Sequence, residues 1–251
     1  MLCEMDHAEK ALVVWLHEMG GSVEMMPRNE MTRTVSDHMP WVVWSFPEAS
    51  ARPVTYRAGA ILPAWFDMEK IPVSACDEFE GLDEAVADVH EMLRTAQGLG
   101  FAARRIAICG FSQGGVLAIR SALTYEEELA GVAAFAAWLP EGVICNARHA
   151  GMRFLWCHGD SDAVVPFQLA YDGAEALVDA GYPVRFCNYI GLQHQMGNVH
   201  IEDLLKFLEE VLPCSIENAR ASTGEGELVH DVVQTTDIID YDEEDQAGNN
   251  E

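Results

Sequence analysis

The chain has 251 residues and 49% apolar side chains, enough for one large α/β domain with a sizeable core. Its formal charge of −26 argues against nucleic acid as a partner and against electrostatic docking on anionic lipid. It has no run of eighteen apolar residues, and residues 1–7 are acidic without an apolar signal core, so neither stable membrane insertion nor secretion is expected.

Residues 11–16, Ala-Leu-Val-Val-Trp-Leu, are a continuous apolar run followed by His17-Glu18-Met19-Gly20-Gly21, which predicts a buried parallel strand ending in a loop. Residues 41–47 predict a second strand. The connection after it is long and broken by Pro47, Pro53 and Pro63, and loops of that length are often functional. A helix is predicted from about Asp77, with Asp77 and Glu80 as a capping box and Phe79, Leu82, Val86, Val89 and Leu93 as one apolar stripe. Gly98 and Gly100 end it. Residues 106–111 predict a short buried strand leading into a helical run at Val116-Leu117-Ala118-Ile119. Further strands are predicted at 131–138, 152–157 and 184–190, with a helix carrying Leu169, Ala170, Ala174, Leu177 and Val178 before the last. A final helix covers about 199–212, and Pro213 closes it.

Strands alternating with amphipathic helices predict a mostly parallel sheet covered on both faces, one domain over residues 1–213. Residues 214–251 carry eleven acids against one base, Arg220, and little periodicity. They are expected to form an acidic, disordered tail, with Val232-Val233 and Ile238-Ile239 as candidate binding motifs inside it. Seven scattered cysteines form no C-x-x-C pair, and Cys109, Cys157 and Cys187 read as small core residues. This pattern suits a reducing, cytoplasmic compartment.

The chemistry concentrates in Gly110-Phe111-Ser112-Gln113-Gly114-Gly115. A G-x-S-x-G pattern between a buried strand and a helix reads as a nucleophile elbow. Small residues two before and two after the serine permit the sharp turn, and the Gln113 N–H is left free at a helix start, where negative charge is favoured. Loops after strand C-termini are where such sheets hold ligands. In chain order those loops supply Ser112, then Asp160 or Asp162, then His194. A serine hydroxyl needs an imidazole to take its proton, and the imidazole needs a carboxylate to hold its tautomer. The oxyanion formed on attack needs two N–H donors, here Gln113 and, from the loop after the first strand, Met19. His17 and His158 read as structural. The nine histidines show no H-E-x-x-H spacing, so no metal and no cofactor are expected.

These residues resemble the acyl-protein thioesterase family, a phospholipase/carboxylesterase group of α/β-hydrolases. The likeness runs from Ala11 to Pro213. It rests on Gly110-Phe111-Ser112-Gln113-Gly114-Gly115, Arg52-Pro53-Val54-Thr55, Trp65-Phe66-Asp67, Trp138-Leu139-Pro140, the His158-Gly159-Asp160-x-Asp162-x-x-Val165-Pro166 stretch and His194. The resemblance implies an α/β-hydrolase fold without a large lid, and Asp162 as the triad acid. It also implies S-acylated proteins or lipid esters as substrates, and a hydrophobic acyl channel. Trp65, Phe66 and Trp138 are the candidate channel residues, with plain core packing as the competing reading. The family's His-Gly-Leu-Gly-Asp loop is replaced here by His17-Glu18-Met19-Gly20-Gly21. Glu18 would be strained if its position demands a left-handed backbone, and a carboxylate facing the site would oppose the oxyanion. The function expected is a serine hydrolase of acyl thioesters. The alternatives are a carboxylesterase or lysophospholipase, and a catalytically weakened relative serving as a binding module.

Overall fold

The computed structural model of the chain describes residues 10–22, 24, 29–143, 149–214 and 228–234. The main sheet has seven strands in the order β2-β1-β5-β6-β7-β8-β9. They are β1 Ala11–Leu16, β2 Val42–Ser45, β5 Ile106–Phe111, β6 Gly131–Phe135, β7 Arg153–Gly159, β8 Val184–Ile190 and β9 Leu228–Gln234. All six pairings in it are parallel. A small antiparallel hairpin, β3 Ala51–Val54 and β4 Ala60–Pro63, stands apart.

The apolar runs are continuous because the strands are buried on both faces. Along β1, Leu12, Val14 and Leu16 enter one core, while Ala11, Val13 and Trp15 enter the other. The first core lies under α2 (Leu82–Gly98), α3 (Gln113–Thr124) and α4 (Phe167–Asp179); the second lies under α1 (Glu30–His38) and α5 (Val199–Val211). Two cores on opposite faces are the α/β-hydrolase layering, and among the described residues no large lid covers the strand ends.

The chain winds from β1 out to β2, then returns to β5 and proceeds the other way. Leu16 pairs with Gly110 where that winding reverses. A reversal leaves a crevice beyond the strand C-termini, the usual place for a ligand. The loop after β1 and the turn after β5 both open there.

Some sequence expectations need correction. The helix expected from Asp77 starts at Leu82, after Gly81 at φ 91°. Asp77 is engaged elsewhere: its carboxylate accepts the Ser74 amide at 2.8 Å and pairs with Lys70 at 2.8 Å. Phe79, expected on the α2 stripe, lies before the helix and packs edge-on against Phe66 at 5.4 Å. The strand expected at 131–138 stops at Phe135, because Ala136 turns to φ 47°. Within the tail expected to be disordered, residues 228–234 form β9, registered on β8 from Leu228 opposite Val184 to Gln234 opposite Ile190. Val232-Val233 lies in that strand; Ile238-Ile239 and the rest of the tail lie outside the described residues.

Candidate active site

The elbow is set by crowding. A Cβ on Gly110 would lie 2.3 Å from the Gly114 backbone, and one on Gly114 would lie 2.0 Å from the Leu16 carbonyl oxygen. A Cβ on Gly115 would meet Ala137 at 2.7 Å. Between them Ser112 adopts φ 54° and ψ −119°, and its amide donates to Phe135 O at 2.9 Å. Such a backbone costs ~1–3 kcal/mol and persists only where the surroundings impose it.

The three loops converge. Ser112 Oγ lies 3.0 Å from His194 Nε2, and His194 Nδ1 lies 2.7 Å from Asp162 Oδ2. A carboxylate can only accept, so Nδ1 carries the hydrogen and Nε2 is left to accept from the serine hydroxyl. Phe111 packs its ring 5.1 Å from the imidazole. Asp162 is buried, and its other oxygen accepts the Val164 and Val165 amides, each at 2.8 Å. Burial pushes its pKa up, but the His194 hydrogen bond and charge, with the Val165 amide, outweigh this and hold it below the ordinary carboxylate value.

Spacing alone left Asp160 and Asp162 open, and the contacts separate them. Asp160 Oδ1 accepts the Gly191 amide at 2.7 Å and the Ser161 hydroxyl at 3.1 Å. It ties the two loops together from behind. Gly159 allows that closeness: a Cβ there would lie 2.1 Å from Leu192 O. His158 is buried, donates from Nε2 to Val165 O at 2.9 Å and lies 3.6 Å from Asp162. Burial lowers its pKa against the opposing pull of Val165 O and Asp162, consistent with a structural ring.

On the other side of the serine, among the described residues, neither the Gln113 nor the Met19 amide donates to a protein acceptor. Gln113 opens α3, at the positive end of the helix dipole. The loop carrying Met19 is held by His17, whose Nδ1–H donates to Glu18 O at 2.6 Å while Nε2 accepts the Ala49 amide at 3.0 Å. Glu18 is not among the positive-φ residues; Gly20, at φ 76°, takes the left-handed turn. The strain anticipated at Glu18 is therefore absent.

Trp65, Phe66 and Trp138 are all buried, and Phe66 packs edge-on against Trp138 at 6.3 Å. Trp65 donates Nε1–H to His17 O at 2.8 Å and its amide to Gln113 Oε1 at 3.1 Å. Gln113 Nε2 donates in turn to Phe66 O at 2.9 Å. The Gln113 side chain thus clamps the long loop to the elbow, a role its place in the motif gave no reason to expect. Beside His194, Phe111, Met196, Trp15, Ile201 and Glu18 border a cavity of about 370 Å³. Among the described residues no three His, Cys, Asp or Glu side chains converge as metal ligands.

Comparison with known proteins identifies the family of the chain. The Phospholipase/Carboxylesterase family model matches residues 2–212. A probable carboxylesterase from Oryza sativa subsp. japonica is 34% identical over 216 residues, 83% of this chain and 80% of that protein. Carboxylesterase SOBER1 from Arabidopsis thaliana is 33% identical over 80% of this chain and 88% of its own length. Acyl-protein thioesterase 1 from Cryptococcus neoformans var. neoformans serotype D is 31% identical over 82% of this chain and 94% of its own. The crystal structure of Arabidopsis thaliana SOBER1 superposes with a TM-score of 0.74 at 29% identity, covering 81% of this chain and 99% of that one. The chain belongs to the phospholipase/carboxylesterase family of α/β-hydrolases and is a serine hydrolase acting on esters.

Proposed function

We propose that the chain cleaves acyl thioesters, foremost those of S-acylated proteins, through an acyl-enzyme formed on Ser112. The observation that carries the reading is the relay Ser112–His194–Asp162, at 3.0 and 2.7 Å. Ser112 Oγ attacks the carbonyl carbon as its proton passes to His194 Nε2. The oxyanion sits against the Met19 and Gln113 N–H groups. Its collapse breaks the carbon–sulfur bond, and the proton on Nε2 goes to the leaving thiolate. Water then attacks the acyl-serine, giving one proton to His194, and the acid departs as that proton returns to Ser112. Asp162 stays ionised throughout and stabilises the imidazolium. The support for the substrate is the similarity to acyl-protein thioesterase 1. Trp65 and Phe66, bonded to the Gln113 side chain, and Trp138 against Phe66 are the proposed acyl-chain neighbours. The described cysteines are free thiols, which suits a cytoplasmic setting. Among the described residues no helix is long and apolar enough to cross a membrane.

A second reading, a carboxylesterase for short acyl groups, is favoured by the complete burial of Phe66 and Trp138 behind the elbow. A series of acyl thioesters and esters of rising chain length separates the two. A long channel predicts kcat/KM rising about fourfold per methylene, from ~0.8 kcal/mol of burial each. A peak at two to four carbons would overturn the long-chain reading. A fluorophosphonate probe should label the wild type and leave Ser112→Ala unlabelled; equal labelling of both would remove the hydrolase mechanism itself.

A further inference from the structure

The sheet ends at β2, which pairs with β1 and, among the described residues, with no strand on its other side. Beside it α2 leaves an open groove of about 970 Å³. Its floor is apolar: Leu12, Val14, Val43, Met92, Leu99 and Phe101. Leu12 and Val43 are register partners, so both strands present one continuous face. Val43 and Leu99 remain 41% and 67% exposed. The rim is acidic. Glu84, Asp88 and Glu91 recur at four and three residues along α2, one face of the helix, and Glu48 and Glu80 stand at the ends of neighbouring segments. Glu48, Glu80, Glu84 and Asp88 have no ion-pair partner among the described residues, whereas Glu91 has Arg94 at 3.6 Å. The cation in the lining, Arg52, donates to Trp65 O at 3.0 Å and so is held by the long loop.

We infer that this groove docks a basic segment of a partner protein, with apolar side chains on the floor and Lys or Arg along the rim. The charge selects that occupant. A second copy of this acidic chain would bring like charge to the rim, and so would an anionic lipid surface. The acids are strung out, not gathered: Glu84 and Glu91 are about 10 Å apart along the helix axis at 1.5 Å per residue. That spacing suits cations distributed along a peptide, and no metal-ligand cluster forms among the described residues. A contiguous apolar floor with a charged rim is the anatomy of an interaction surface. The inference does not rest on the hydrolase mechanism, although Trp65 lines the groove and bonds to Gln113.

The test is fluorescence anisotropy on the full chain with a labelled peptide alternating Lys with Leu and Phe. Binding is expected, weakening as salt rises from about 50 to about 300 mM, where screening shortens the reach of charge. The triple variant Glu48→Lys, Glu84→Lys and Asp88→Lys should weaken it at least about tenfold. The same charge change placed on α4 and α5, as Glu175→Lys, Asp179→Lys and Glu209→Lys, should weaken it less than about twofold by long-range charge alone. Leu99→Ser, which alters only an exposed side chain, should weaken it several-fold. Equal loss in the two triple variants would overturn the inference as general attraction to an acidic protein. Equally tight binding of a peptide with Gln in place of Lys would overturn the basic occupant, and no binding of the Lys peptide would overturn the site.

Discussion

At the end of β5 a Cβ on Gly114 would lie 2.0 Å from a carbonyl oxygen, while at the β2 edge Leu99 keeps 67% of its surface in water. Both places are built from the same strand and helix layers. The difference lies in how many segments meet. Beyond the C-termini of β1, β5, β7 and β8, four loops crowd together, so backbone packs on backbone and each side chain has its partner chosen for it. At the edge one helix passes the outer two strands, and side chains such as Leu99 and Val43 stay exposed. Crowding is what makes a hydroxyl, an imidazole and a carboxylate from distant segments line up. Openness is what leaves unpaired charge available to an outside chain.

The largest effect should come from the two aspartates of the crowded end. Asp162→Asn removes the acceptor that holds the Nδ1 hydrogen, and kcat should fall ~10³–10⁴-fold. Asp160→Asn weakens only the contact between two loops, so kcat should fall less than about tenfold, with ~1 kcal/mol of stability lost. Comparable kcat losses in steady-state ester hydrolysis would erase the distinction between them.

Glycines sharpen the comparison next. Gly114→Ala must displace backbone and should cost ~3 kcal/mol or more in denaturant unfolding. Gly98→Ala, at the end of α2 with nothing within 4 Å of the added carbon, should gain ~0.5–1 kcal/mol. A harmless Gly114→Ala would mean the elbow can relax.

His200 tests the interior beneath the crowded end. It is buried against Phe135 and Tyr189, and burial lowers its pKa to about 4 from the ordinary 6.5. The unfolded chain therefore takes up a proton first as pH falls through 6.5, and the folded chain follows only near 4. Stability should drop by up to ~3 kcal/mol across that window and level off below it. Urea midpoints at pH 7 and pH 5 should differ in the wild type, and the difference should shrink in His200→Gln. An unchanged difference would assign the slope to other groups.

The smallest effect concerns Glu18. Its backbone is not left-handed, so Glu18→Gly should relieve no strain and should cost ~0.5–1 kcal/mol through added unfolded-state freedom. A gain in stability on thermal unfolding would mean that the position prefers glycine after all.

Much of the fold was readable where a strand is buried on both faces. Residues 11–16 are an unbroken apolar run and form a strand over those limits, and residues 184–190, apolar but for Arg185 and Asn188, do the same. Elements stabilised by something other than apolar periodicity escaped notice. Helix α1 buries only Met31, Thr32 and Val35 and relies on Asn29 Oδ1 accepting the Thr32 amide at 2.9 Å. The β3–β4 hairpin is mostly exposed and reads as loop. Strand β9 is seven residues in a segment whose acidity dominates its composition. Helix α2 began late because Asp77 found a nearer amide and a lysine than the helix end it was expected to cap.

The residues themselves determined the alternation of strand and helix, the elbow around Ser112, and the set of loops from which a base and an acid would come. Those follow from side-chain periodicity and from the backbone freedom of glycine, both local properties of the chain. Which aspartate faces His194, that Glu18 sits without strain, and that the Gln113 side chain holds the long loop were decided in three dimensions. His194 meets Asp162 across 32 residues and Ser112 across 82. Over such separations the partner is chosen by how loops pack against one another, which no short stretch of sequence encodes.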